Sequence, residues 1–115
     1  MKILVIGSNG FIGSHCIAYF LDKQYIVWGA TTCLDEKKNH FLINKRNADF
    51  EYIFKKQQFD ICINASGSAN VAFSFESPEI DFELNVVNVH KILVAIRKHN
   101  PTCKLINFSS AAVYG

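Results

Sequence analysis

The sequence predicts an α/β fold: a doubly wound parallel sheet of about five strands with helices on both faces. Three observations carry this. Short, nearly unbroken apolar runs alternate with helix-periodic segments along the 115 residues. Strands apolar on both faces belong to parallel sheets covered on both sides. The first run, Lys2-Ile3-Leu4-Val5-Ile6, passes directly into Gly7-Ser8-Asn9-Gly10-Phe11-Ile12-Gly13 and then into a helical pattern. Finally, Ser77-Pro78-Glu79 and Asn100-Pro101 bracket a late helix with start and stop signals.

In order, the first strand is Lys2 to Ile6. A helix follows from about Phe11 to Asp22, with Ile12, Cys16, Tyr19 and Phe20 at helical spacing. The second strand is Tyr25 to Ala30. A polar stretch, Thr31 to Asn39, leads to a short third strand, Phe41-Leu42-Ile43. Asp49 is placed to cap a helix whose Phe50, Ile53 and Phe54 share a face. The fourth strand is Asp60 to Asn64. A helix then runs from Ser77 to about His99, with a hydroxyl at the N-cap, Pro at the first turn and an acid near the positive dipole end. The fifth strand, Lys104 to Phe108, ends at Ser109-Ser110.

The glycine turn between the first strand and the first helix is the main functional signal. It brings bare backbone N–H groups to a helix N-terminus, where a pyrophosphate binds. Gly7 turns the chain off the strand, Gly10 lets the backbone approach phosphate oxygens, and Gly13 lets the helix pack close to the sheet. Asn9, Phe11 and Ile12 lie in the same turn. The reading is a Rossmann-type sheet that binds a dinucleotide cofactor.

Composition narrows the rest. The length suits one small domain, and half the residues are hydrophobic. A net charge of +2 without a basic cluster gives no reason for a nucleic-acid or membrane partner. The leading apolar run is too short for a secretory signal, and no stretch approaches a membrane span. Cys16, Cys33, Cys62 and Cys103 have no Cys-x-x-Cys spacing. They read as reduced, buried thiols of a cytoplasmic protein, with no metal site.

The spacing Gly-x-x-Gly-x-x-Gly resembles that of the extended short-chain dehydrogenase/reductase family, the NAD(P)-dependent epimerases and dehydratases of nucleotide sugars. Three more segments carry the resemblance: Asn64-Ala65-Ser66-Gly67 after the fourth strand, Asn85-Val86 in the long helix, and Ser109-Ser110-Ala111-Ala112-Val113-Tyr114-Gly115 after the fifth strand. They fall in family order across the whole chain. The resemblance implies that Ala65, Ser66 and Gly67 line the cofactor. Ser110 becomes the catalytic hydroxyl that hydrogen-bonds the reacting oxygen, and Asn85 holds the helix backbone and a water in a proton relay. Tyr114 matches a packing tyrosine rather than the catalytic one.

The family's catalytic Tyr-x-x-x-Lys is expected about 25 residues beyond Ser110, past Gly115. The same spacing at Tyr19/Lys23 and Tyr52/Lys56 lies upstream of Ser110, in the cofactor half, and is set aside. The expectation is an N-terminal piece truncated after strand five, inactive alone, whose exposed edge strand favours self-association. The parent protein is expected to be a homo-oligomer acting on a nucleotide sugar.

The second strand ends Trp28-Gly29-Ala30-Thr31-Thr32, without the acid that favours NAD. Thr31 is the expected ribose neighbour and Asn44 a possible adenine neighbour. Asp35 and Glu36 could stand in for the acid, whereas Lys37 and Lys38 could meet a 2′-phosphate. The balance leans slightly to NADP over NAD. Two functions remain open: a hydride-transferring epimerase, dehydratase or reductase, and a non-catalytic NAD(P)-binding regulator or redox sensor. A different phosphate-binding fold is disfavoured because no Gly-Lys-Ser/Thr follows the turn.

Overall fold

The computed structural model describes residues 1–33, 39–67 and 76–108. Ser110 and Tyr114 lie outside the described residues, as do Asp35, Glu36, Lys37 and Lys38.

Five strands form one sheet in the order β3-β2-β1-β4-β5, every neighbouring pair parallel. They are β1 (Lys2–Ile6), β2 (Ile26–Thr31), β3 (His40–Leu42), β4 (Ile61–Asn64) and β5 (Lys104–Asn107). The helices are α1 (Phe11–Asp22), α2 (Glu51–Lys56), α3 (Pro78–Phe82) and α4 (Asn88–His99), with a π-helical turn, Glu83–Val87, joining the last two. The predicted α/β class, parallel sheet and two-sided winding are all present.

The period-2 geometry of β1 divides the core. Leu4 and Ile6 face a large cluster containing Phe50, Ile53 and Phe54 from the α2 region and Ile92, Ala95 and Ile96 from α4. Ile3 and Val5 face the opposite way, against Cys16, Ile17 and Phe20 of α1. Right-handed crossovers explain the arrangement: β1 to β2 runs one way across the sheet and β4 to β5 the other. Strand order therefore reverses between β1 and β4, which opens a crevice at their C-terminal ends.

Several expected boundaries shift: β2 starts at Ile26 rather than Tyr25, β4 at Ile61 rather than Asp60, and β5 ends at Asn107 rather than Phe108. β2 extends to Thr31, because Thr31 pairs with Leu42 and its carbonyl accepts the Ile43 N–H at 3.0 Å. β3 starts at His40, opposite Gly29, and Ile43 leaves the ladder while staying buried. Asp49 does not sit at the cap of α2; Phe50 does, and Asp49 Oδ1 accepts the Glu51 N–H at 3.0 Å from one residue further out. The long helix is not continuous, since the π turn inserts one extra residue per turn at Glu83–Val87. Ser77 occupies the N-cap of α3 without a side-chain capping bond.

The stop signal at Asn100 acts through tertiary structure. Asn100 is buried and its Oδ1 accepts the Phe59 N–H at 2.6 Å. Gln58 Nε2 donates to the His99 carbonyl at 2.8 Å. These bonds lock the end of α4 to the chain entering β4. β5 is the exposed margin: Ile106 and Phe108 are open to solvent on the strand and just past it.

Candidate functional site

A cavity of about 560 Å³ lies at the C-terminal ends of β1, β2 and β4. That size suits a small-molecule or cofactor site, and the position is the switch point of the sheet. Two walls enclose it, and they are built differently.

The first wall is the turn after β1. Gly7 and Gly10 line the cavity with Asn9. Gly7 has φ +82°, and a Cβ there would lie 2.8 Å from the Ala65 carbonyl and the Ser66 nitrogen. Gly13 is buried below, where a Cβ would come within 2.0 Å of the Gly7 carbonyl oxygen. Both positions exclude side chains for reasons internal to the fold. Gly10 differs: its φ is −79°, and among the described residues the one atom near its Cβ position is the Gly7 oxygen at 3.5 Å. A methyl there would meet ordinary van der Waals contact only, and Gly10 itself lines the cavity. Gly10 caps α1, whose first-turn N–H groups have no intrahelical partners. A bare backbone before a helix N-terminus fits a pyrophosphate.

The side chains of Phe11 and Ile12 do not join this wall. Phe11 is 81% exposed, and both line a separate apolar depression with His15, Cys16, Tyr19 and Phe20. Only their backbone N–H groups belong to the helix N-terminus, so any cofactor role rests on the main chain. Thr31, 3% exposed, lines the cavity and donates its hydroxyl to Asn9 Oδ1 at 2.5 Å. Thr32 lines the cavity beside it.

Ala65, Ser66 and Gly67 line the cavity beyond β4. The Ala65 N–H donates to Ile6 O at 2.8 Å, and Ser66 donates both its N–H and its hydroxyl to Asn64 Oδ1. Asn64 Nδ2 in turn donates to Asn107 Oδ1 at 2.7 Å. The segment is thereby tied to both neighbouring strands.

The facing wall comes from the loop after β3 and from the α3–π–α4 segment. Asn44, a predicted neighbour of the base, lines the cavity, and so do Lys45 and Arg46, which sequence reasoning missed. Glu83, in the π turn, accepts the Asn47 N–H and Arg46 Nε, each at 2.8 Å. The Asn47 bond first, and then Arg46, hold the Glu83 carboxyl below its ordinary range. Lys91 Nζ adds a bond to the Ala48 carbonyl at 3.3 Å. No Asp or Glu lines the cavity among the described residues.

Asn85 does not line the cavity. Its Nδ2 donates to Asp81 Oδ1 at 3.1 Å, and its Oδ1 lies 2.5 Å from where a Cβ on Gly67 would project. Gly67, at φ +119°, thus packs against Asn85, which positions the loop after β4. Asn88 was also missed. It lines the cavity with Ile80 and Leu84, is 6% exposed, and its Oδ1 has no hydrogen-bond partner among the described residues. Leaving such a group unpaired costs about 1–3 kcal/mol. The available signal was a polar residue on the apolar helical stripe of Ile92, Ala95 and Ile96.

The two upstream Tyr/Lys spacings form no site. Lys23 Nζ lies over the Tyr19 ring, 5.4 Å from its centroid, and the Tyr52 hydroxyl donates to the Leu42 carbonyl. No group of three or more potential metal ligands gathers among the described residues, and no described helix is long and apolar enough to cross a membrane. The four cysteines are free. The expectation of buried thiols holds for Cys62 and Cys103, whose thiol burial pushes up, to about 11 for Cys103. It fails for Cys33, which the loop after β2 leaves exposed, and for half-buried Cys16.

The chain is similar in sequence and fold to known proteins. The chain is 30% identical to CDP-paratose 2-epimerase from Salmonella typhi, covering all of this chain and 38% of that protein. It is 33% identical to UDP-glucose 4-epimerase from Pisum sativum, covering 99% of this chain and 38% of the relative. It thus spans under two fifths of these relatives' length. The crystal structure of UDP-glucose 4-epimerase from Bifidobacterium longum in complex with NAD+ and UDP superposes with a TM-score of 0.86 at 24% identity, over all of this chain and 38% of that one. The complex of Thermus thermophilus UDP-glucose 4-epimerase with NAD gives 0.77 at 28% identity, over 91% and 36%. With residues 3–115 matching the family profile, the chain belongs to the NAD dependent epimerase/dehydratase family.

Proposed function

We propose that this chain forms the dinucleotide-binding half of an enzyme that epimerises, dehydrates or reduces a nucleotide sugar. The observation that carries the reading is the Gly10 cradle: backbone without a side chain, at a helix N-terminus, where the fold itself has no need of glycine. Bound there, NAD(P) supplies a hydride donor or acceptor. The chain's own residues bind and orient it. The turn N–H groups take the pyrophosphate, the Thr31–Asn9 pair fixes the edge nearest the ribose, and Ala65 to Gly67 close the floor. Ser110 is the hydroxyl assigned to the sugar's reacting oxygen, and Asn85 supports the site through the Gly67 loop.

The cofactor is proposed to be NADP rather than NAD. Lys45 and Arg46 line the cavity, no carboxylate does so among the described residues, and Thr31 stands where an acid would bind a 2′-hydroxyl. Four unpaired cysteines suit a reducing cytoplasm. A homo-oligomeric parent protein and a nucleotide-sugar substrate complete the proposal. Calorimetric titration of the chain with NADPH and NADH tests it. Saturable binding, tighter for NADPH, is expected; tighter NADH binding overturns the cofactor assignment, and no binding of either overturns the function.

A further inference from the structure

Resting on the dinucleotide reading, we propose that Asn88 recognises the adenine ring, as a base-reading residue at the far end of the same cavity.

Asn88 is the first residue of α4, directly after the π turn. It lines the cavity with Ile80 and Leu84 of the same segment, and Ile43 and Phe50 line the same cavity. Apolar lining of this kind suits a flat ring, and Asn88 is the buried carboxamide among it. That carboxamide is more than nine-tenths buried and its Oδ1 has no partner among the described residues. Buried acceptors are rarely left so, and each calls for a specific partner.

The position selects the base among the parts of the dinucleotide. The pyrophosphate belongs to the Gly7–Gly10 turn and the ribose to the end of β2. The slot beside Ile43 and Asn44 lies beyond both, at the end of β3. Adenine offers a 6-amino donor next to the N7 acceptor. An asparagine amide matches that edge with two hydrogen bonds, Oδ1 accepting from the amino group and Nδ2 donating to N7. The terminal torsion of asparagine is soft, so the amide turns to meet the ring.

The test uses the full chain and two probes, NADPH and its hypoxanthine analogue, in which a carbonyl replaces the 6-amino group. Wild type is expected to bind NADPH about tenfold more tightly, the discrimination of one paired amide. Asn88→Leu is expected to lower NADPH affinity and bring the ratio to about one, without lowering the melting temperature, because an unpaired buried oxygen is removed. A structural role alone would lower the melting temperature and weaken both probes equally. Equal affinities in wild type overturn the proposal without any variant, and so does an unchanged ratio in Asn88→Leu. If wild type binds neither probe, the dinucleotide reading fails first and this inference with it.

Discussion

On the β1–α1 wall of the cavity, Gly7 and Gly13 leave no room for a side chain; on the facing side, Glu83 braces the loop after β3 through its side chain, and Asn85 packs against Gly67 behind the cavity. The first wall is shaped by backbone sterics, Gly13 against Gly7 within the turn and Gly7 against Ala65 and Ser66 beyond β4. The second is assembled from the β3–α2 loop and the π turn, with Arg46 and Asn47 meeting Glu83 from 37 and 36 residues away. Steric constraint makes a wall that cannot adjust. Hydrogen-bonded side chains make one that responds to pH and to what occupies the cavity.

The largest effect should come from the rigid wall. Gly13→Val drives a side chain into the Gly7 carbonyl and should destabilise the fold by about 3 kcal/mol, read as a lower urea midpoint. Retention of wild-type stability would show that the turn is not over-determined. Next, Gly10→Ala should leave stability within about 1 kcal/mol of wild type while weakening NADPH binding at least about tenfold. Loss of stability in parallel with binding would erase the distinction between Gly10 and its neighbours.

The facing wall should yield more gently. Glu83→Gln keeps an acceptor but loses the charge, so NADPH affinity should fall by less than about tenfold. Because the folded carboxyl lies below its ordinary value of 4.5, the brace is complete above that pH and is lost as pH falls through the folded value. Wild type should therefore lose affinity in acid, and Glu83→Gln should lose less. An acid profile identical in the two proteins would remove Glu83 from the account. The smallest effect concerns accessibility: a thiol reagent at neutral pH should modify exposed Cys33 first and leave Cys62 and Cys103 unmodified until unfolding. Mass spectrometry of the labelled peptides checks the order.

The same contrast explains what the sequence could show. Backbone constraint leaves a local mark, so Gly7, Gly10 and Gly13 announce the first wall, and the apolar runs announce the sheet. Ala65 to Gly67 were named through the family resemblance, and they and Asn44 line the cavity. The second wall depends on pairs far apart in sequence, so Glu83, Lys45 and Arg46 carried no signal. The π turn was hidden as well, because Ser77-Pro78 marks where a helix starts and nothing local marks an extra residue inside it. Phe11 and Ile12 were legible only as main chain: their side chains point into another depression. Ser110 lies outside the described residues, and its role stays a proposal.

Hydrogen–deuterium exchange with and without NADP+ tests most directly whether the two walls form one cofactor site. Protection is expected in both, at 7–14 behind the glycine turn and at 44–48 together with 83–88 on the facing side. Protection confined to the glycine turn, or absent from both, would contradict it.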